Sequence, residues 1–363
     1  MCLSNNKILF VTPSFSKGGA EKNMLNIINS LDDTFDITLC ICTDNVLYLD
    51  QLNKKIKVIE LKRSGVNRSM KDIYRLLKLI NPNIVFSSAL HVSLPLILFR
   101  KVLNLKFIKI SRIPSLPSNK LEKTLKSKLI NNINKYYLNY SDWVIAQSDQ
   151  MKDEIISFYN LNKEKVIVIK NIVDIKTISQ KSLEPLDFQK EFFHFVAAGS
   201  LYSAKGFDLL IKAFKIHVKS YPNTRLIIIG DESIEFGYKK YLNDLINDLN
   251  LQNKVQLAGY QNNPYKYFYA SDAFVLSSLK EGFPNVVLEN LVLSKPVLVT
   301  NCVDFSGVIN SRNGVIVEKG KVEALVEGLM EIRKIQFKNT ELPQFNFNNW
   351  FLNLINEGTT SNK

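Results

Sequence analysis

Two carboxylates bracket a short turn late in the chain. The stretch Ser277-Ser278-Leu279-Lys280-Glu281-Gly282-Phe283-Pro284-Asn285-Val286-Val287-Leu288-Glu289-Asn290 follows Ala273-Phe274-Val275-Leu276, which reads as a short buried strand. Pro284 stands where a first helical residue belongs, and Val286, Val287, Leu288, Leu291 and Val292 run helically after it. Gly282 lets the backbone come close to a ligand, and the free N–H groups of the helix start favour an anion. Glu281 lies in the loop, and Glu289 about five residues into the helix, a rise of ~7.5 Å. The two carboxylates of a retaining glycosidase stand only ~5 Å apart. The spacing therefore suits two acceptors gripping separate hydroxyl-bearing parts of an extended ligand, with a phosphate between them. A nucleotide sugar has that shape. Spacing alone leaves a second reading open: one carboxylate beside a helix start and one solvated glutamate.

Other residues stand at comparable places. Lys205 precedes Gly206 at the start of a helix beginning near Phe207, where a lysine beside helix-end N–H groups can clamp a diphosphate; a plain exposed lysine is the other reading. Gly18-Gly19 follows the strand Lys7–Thr12 and opens a helix, so Gly19 lets backbone approach a ligand at a sheet edge; a plain glycine turn fits as well. No G-x-G-x-x-G is present, so the dinucleotide fingerprint is missing. His91 sits in a loop after the strand Asn83–Ser87, at the edge where ligands sit in open α/β sheets; a histidine hydrogen-bonded within its own loop fits as well. His194, within a strand, and His217, on a helix, read as structural.

The elements that position these residues alternate strand and helix, which predicts mostly parallel sheets. Strands are expected at Phe35–Cys42, Lys57–Leu61, Lys106–Ile110, Trp143–Ala146 and Lys165–Ile169, and a helix at Ser69–Ile80. A second α/β pattern runs from Phe193, with strands at Phe193–Ala198, Arg225–Gly230 and Val255–Gly259. Residues 173–190 hold no clear strand and read as a linker. A terminal aromatic segment follows with Phe345, Phe347, Trp350 and Phe351.

These motifs, in this order, resemble the retaining glycosyltransferases of family 4. Glu281 to Glu289 is similar to the family's E-x7-E signature. Gly199-Ser200-Leu201-Tyr202-Ser203-Ala204-Lys205-Gly206 resembles its G-R-L-x-x-x-K-G segment, with Ser200 in place of the arginine. Asn171-Ile172-Val173-Asp174 resembles its N-P-x-D segment. The resemblance implies an α/β GT-B fold, two Rossmann-like parallel-sheet domains facing a central cleft. Residues 1–172 would form the acceptor-side domain, 173–190 the linker and 191–338 the nucleotide-sugar domain, with 339–363 packing back on the first. It further implies transfer of a hexose or N-acetylhexosamine from a nucleotide sugar, a UDP-sugar for preference, to a glycan or lipid-linked acceptor of bacterial surface polysaccharide or lipopolysaccharide. His91, Lys205 and Glu281 would serve catalysis. The donor would meet Gly18, Gly19, Ser200, Lys205, Tyr260, Glu281, Gly282, Phe283, Pro284, Asn285, Val286 and Glu289. The leaving phosphate would take the acceptor's proton at the front face. A nucleotide-sugar epimerase and a catalytically decayed nucleotide-sugar-binding protein are the alternatives, the latter suggested by Ser200.

Composition bounds the partners. At 363 residues, 46% hydrophobic and 22% charged, the chain has room for two cores. The apolar run Ile8–Val11 is too short for a signal-peptide core, and no window is apolar enough to span a bilayer. Four cysteines have neither disulfide-scaffold nor zinc spacing, which fits a reducing cytoplasm. No D-x-D at a strand end and no His/Cys cluster call for a metal, so none is expected. The net charge of +13 is uneven: 27 Lys and Arg stand against 15 Asp and Glu up to residue 178, and 20 against 19 beyond. From 100 to 128 the basic residues are Arg100, Lys101, Lys106, Lys109, Arg112, Lys120, Lys123, Lys126 and Lys128, against Glu122 alone. Interleaved leucines predict peripheral docking on the inner, anionic face of the cell membrane, with Arg112, Lys120, Lys123, Lys126 and Lys128 on the membrane or acceptor side. A solvated basic face is the plainer reading. Nucleic acid is not expected, since no binding motif accompanies the charge.

Overall fold

The computed structural model describes residues 6–16, 18–115, 125–186, 188–232, 235–338, 342 and 345–360, with backbone alone at 125–130 and 358–360. The chain divides into two compact units, Met1–Ile172 with Gln344–Lys363, and Val173–Pro343.

The first unit is built on a seven-stranded parallel sheet. Its strands are β1 (Asn6–Thr12), β2 (Phe35–Ile41), β3 (Lys57–Glu60), β4 (Ile84–Ser87), β5 (Ile108–Arg112), β6 (Trp143–Ala146) and β7 (Val166–Val168). They lie in the order β3-β2-β1-β4-β5-β6-β7. Helices α1 (Gly19–Ser30), α2 (Val66–Ile80), α3 (Leu90–Val102), α4 (Leu125–Leu138) and α5 (Asp149–Tyr159) supply the crossovers. β1 reads as an unbroken apolar run because helices cover both faces: Ile8, Phe10 and Met24 join one core, Leu9, Val11 and Ile73 another. The residues after β4 form α3 rather than the expected loop, and His91 stands in its first turn, exposed. Leu90, Val92, Leu96 and Ile97 line the buried side of α3, so its apolar periodicity is the signal that the loop reading passed over.

The second unit has a six-stranded parallel sheet, in the order β10-β9-β8-β11-β12-β13. Between α6 (Ile175–Ser182) and α11 (Val322–Glu331) run β8 (Phe193–Ala198), α7 (Phe207–Ser220), β9 (Thr224–Ile229), α8 (Tyr238–Asp248), β10 (Val255–Gly259), α9 (Tyr265–Ala270), β11 (Ala273–Leu276), α10 (Asn285–Val292), β12 (Val297–Thr300) and β13 (Gly314–Val317). The segment 173–190, expected as a linker, holds α6 and belongs to this unit. Asp174 caps the helix, accepting from the Thr177 amide at 2.9 Å, and Ile178 is buried in the second unit's core. The last helix, α12 (Phe347–Thr360), closes the first unit. Phe351 meets Phe35 edge to face at 6.2 Å, and Trp350 meets Trp143 at 6.3 Å.

Candidate functional site

In the second unit, parallel strands bring two loops to one sheet edge. β8 and β11 are neighbours, so the loops leaving their C-terminal ends lie side by side. The first ends in a 3₁₀ turn, Ser203–Lys205, and Gly206 opens α7. The second carries Ser277 to Pro284 into α10. Two hydrogen bonds lock them: the Leu279 amide donates to the Ala204 carbonyl at 2.8 Å, and Ser277 Oγ to the Lys205 carbonyl at 2.9 Å. Gly206 is required here twice over. Its φ is +63°, and a Cβ would come within 2.4 Å of the Ser277 carbonyl oxygen.

This packing joins two of the predicted residues, 76 positions apart in sequence. Lys205 Nζ and Glu281 Oε1 are 2.5 Å apart, with only 15% and 13% of their side chains exposed. Ser278 Oγ donates to the same carboxylate oxygen at 2.8 Å, and Thr300 Oγ1 in turn donates to the Ser278 carbonyl. Burial pulls the Lys205 ammonium down, but the Glu281 charge and hydrogen bond outweigh it, so its pKa stands above the ordinary lysine value. The same carboxylate acts on Cys302, whose thiol is pushed up to about 11, chiefly by burial. Lys205 is therefore part of an ion pair already formed, not a plain exposed lysine. Ser278 and Thr300 escaped the sequence reading. A serine three residues before Glu281 was the one available signal, and Thr300 is set beside it only by the pairing of β11 with β12.

Glu289 does not join this pair. It lies in the fifth position of α10, 6% exposed, with the Tyr265 hydroxyl of α9 at 3.5 Å from Oε1. The solvated glutamate left open above is thus excluded for Glu289. Pro284 is the cap of α10, and Asn285 the first helical residue. Phe283 turns inward against Phe305, with ring centroids 5.6 Å apart, so its side chain belongs to the core. Asn285 is buried, and Gly282 and Val286 are half-buried. Ser200 is half-buried in the loop after β8, and Tyr260, after β10, is 43% exposed.

In the first unit, Gly18 caps α1 and Gly19 is its first residue, exposed, with open space where a Cβ would stand. Glu21 is held by the Ser14 hydroxyl at 3.0 Å, as a first-turn carboxylate.

Two members of the basic run from 100 to 128, Lys109 and Arg112, are not on the surface. Lys109 is fully buried: Nζ donates to Ser87 Oγ and the Ile110 carbonyl, both at 2.7 Å, and to Ser111 Oγ at 3.1 Å. Burial holds its pKa well below the usual lysine value. Arg112, expected on the membrane or acceptor face, is only 3% exposed. Arg100 pairs with Asp142 and donates to the Tyr140 carbonyl at 2.6 Å. Both Lys109 and Arg112 lie in β5, a central strand of a sheet covered on both sides, so neither can face a bilayer. Lys120 and Lys123, and the side chains of Lys126 and Lys128, lie outside the described residues. Exposed apolar groups do gather on α3 and α4: Leu98, Val102, Ile133 and Tyr136. Lys101 lies 3.5 Å over the Tyr140 ring beside them. Among the described residues, no helix is long and apolar enough to cross a membrane.

Comparison with known proteins covers both units. Residues 17–177 match the family described as Glycosyltransferase Family 4, and residues 178–344 the family described as Glycosyl transferases group 1. An uncharacterized glycosyltransferase of Methanocaldococcus jannaschii is 39% identical over 248 residues, 64% of this chain and 60% of that protein. The N-acetylgalactosamine-N,N'-diacetylbacillosaminyl-diphospho-undecaprenol 4-alpha-N-acetylgalactosaminyltransferase of Campylobacter jejuni is 29% identical over 181 residues, 49% of this chain and 47% of that one. The matches thus span about half the length of these relatives, or a little more. The Anabaena protein HepE, solved in complex with UDP, superposes with a TM-score of 0.70 at 17% identity, covering 98% of this chain and 99% of that one.

Proposed function

The chain belongs to the glycosyltransferases of group 1 and family 4, and from that premise we propose a retaining enzyme of bacterial surface-glycan synthesis. It moves a hexose or N-acetylhexosamine from a UDP-sugar, without a metal, to a glycan carried on a lipid diphosphate. The observation that carries this reading is the Lys205–Glu281 pair at the adjoining starts of α7 and α10. A diphosphate arriving there meets the helix-end N–H groups and the ammonium, and competes with Glu281 for Lys205. Glu281, released, turns to the hydroxyls of the donor sugar. Glu289, held beside Tyr265, accepts from the ribose. The negative charge on the leaving phosphate grows as the glycosidic bond breaks, so an ammonium already fixed in place stabilises the transition state more than the ground state. The leaving phosphate takes the acceptor's proton at the front face, with retention.

The Campylobacter relative's diphospho-undecaprenol substrate supports the lipid diphosphate, and the UDP complex of HepE supports the nucleotide. The acceptor is taken by the first unit, whose α3–α4 surface docks on the anionic inner face of the membrane through Leu98, Val102, Ile133, Tyr136 and Lys101.

The test is calorimetric titration with UDP, followed by turnover of UDP-sugars with and without a lipid-diphosphate acceptor. Lys205→Ala should lower kcat more than it raises KM. Normal kcat with only a raised KM would leave Lys205 a mere binding group. Release of an isomerised donor without acceptor would make the protein an epimerase instead.

A further inference from the structure

A buried cation needs a compensating partner. Lys205 has the Glu281 carboxylate, and Lys109 has three oxygen acceptors for its three donors. Arg112 differs. It ends β5 at the C-terminal edge of the first sheet, and its Nη2 donates to Asn171 Oδ1 at 2.5 Å. Its Nη1 is buried and finds no acceptor among the described residues. Burial alone pulls its pKa down, to about 10, so the group remains charged at neutral pH.

A second orphan donor lies on α1, the helix that packs in the same core as Ile110 of β5. Asn23 of α1 is buried, and its Nδ2 has no acceptor among the described residues. Asn26, one turn further along, donates to the Ile172 carbonyl at 2.8 Å, so this face of α1 meets the segment that carries Asn171. α1 runs back against β1, so Asn23 lies nearer than Asn26 to the sheet edge where Arg112 ends β5. Two buried groups, both donors and one fully charged, thus flank one short segment beyond β7. Ligands of open parallel sheets sit at this edge.

We propose that Arg112, Asn171 and Asn23 form a receptor for a phosphoryl oxyanion, the diphosphate of the lipid-linked acceptor. A phosphoryl group has enough acceptor oxygens to serve the guanidinium and the Asn23 amide together, and guanidinium binds it through paired N–H groups. This rests on the reading of the acceptor as a lipid diphosphate, and it concerns the first unit alone.

The experiment uses the full chain saturated with UDP, titrated with inorganic pyrophosphate and separately with farnesyl diphosphate. Both titrations are followed by calorimetry and thermal melting in phosphate-free buffer. With UDP in place, the wild type should take up either probe. Arg112→Met should abolish that uptake, Asn23→Ala should weaken it about tenfold, and both should keep UDP affinity within about twofold, a tenfold loss corresponding to ~1.4 kcal/mol. Arg112→Met should melt no lower than wild type in the absence of anion, because it removes an uncompensated buried charge. Tighter binding of farnesyl diphosphate would show that the lipid contributes; equal binding would show recognition of the diphosphate only. Failure of UDP to bind the wild type would sink the donor assignment. UDP binding without probe uptake, equal uptake by Arg112→Met, or a large drop in its melting temperature would overturn the receptor.

Discussion

Replacing Glu281 with glutamine tests whether the ion pair is a placeholder for a phosphate. The amide keeps the shape and can still accept from Ser278 Oγ, but the charge beside Lys205 is gone. Lys205 then holds an ammonium at 15% exposure with no carboxylate against it. Breaking a buried pair costs ~3–5 kcal/mol, and the partial exposure of both side chains points to the lower end, ~3 kcal/mol. In a unit of this size each kcal/mol moves the melting temperature by roughly 2–4 °C, so a drop of roughly 6–12 °C is expected. UDP should reverse much of it. In the wild type the diphosphate must displace Glu281 from Lys205; in Glu281→Gln it meets an unpaired cation. A charge-assisted hydrogen bond is worth ~1.5–3 kcal/mol, so UDP should bind the variant at least about tenfold more tightly. Sugar transfer should nevertheless slow by roughly 10- to 150-fold, since the carboxylate that accepts from the sugar is lost. Calorimetry with UDP, thermal melting with and without UDP, and single-turnover transfer supply the three readouts. UDP affinity equal to wild type or weaker, in a folded variant, would refute the displacement of Glu281 by phosphate.

Glu289→Ala should weaken UDP binding by ~1.5–3 kcal/mol in calorimetry, and unchanged affinity would remove the ribose role. His217 is fully buried between Phe214 and Tyr221 with both ring nitrogens lacking a partner among the described residues, and burial, then the charge of Arg333, hold its pKa down to about 4. The unfolded chain therefore takes up the proton first, so stability present above pH ~6.5 is lost as pH falls toward 4, by up to about 3 kcal/mol. His217→Phe should melt higher than wild type at pH 5, with a flatter pH profile; an unchanged profile would clear His217 of that role. Vesicle sedimentation should show binding that needs anionic lipid and falls with salt, and Val102→Asp with Lys101→Glu should weaken it. Equal binding to neutral vesicles would exclude docking by the α3–α4 surface.

The strand-and-loop grammar of the second unit was legible because each signal was local. An apolar run, a glycine and a helical periodicity located the starts of α7 and α10 to within a residue or two. What sequence could not supply was the joining of Lys205 to Glu281, because that depends on β8 lying beside β11, a fact of sheet order. Two residues of the basic run, Lys109 and Arg112, depart from expectation for a different reason. Counting charges along a chain treats every residue as exposed, yet Lys106–Ile110 had itself been read as a strand of a parallel sheet. Such a strand is covered on both faces, so Lys109 within it had to be buried and needed polar company. Ser87, Ser93, Ser111 and Ser141, all buried and hydrogen-bonded in one cluster around it, are that company. The same argument applied to Arg112, two residues past the strand expected at Lys106–Ile110, puts a guanidinium at the ligand edge of the sheet rather than on a membrane face. Taken together, strand assignment and charge pattern are more informative than either alone. A basic residue inside a predicted parallel strand signals a buried polar network.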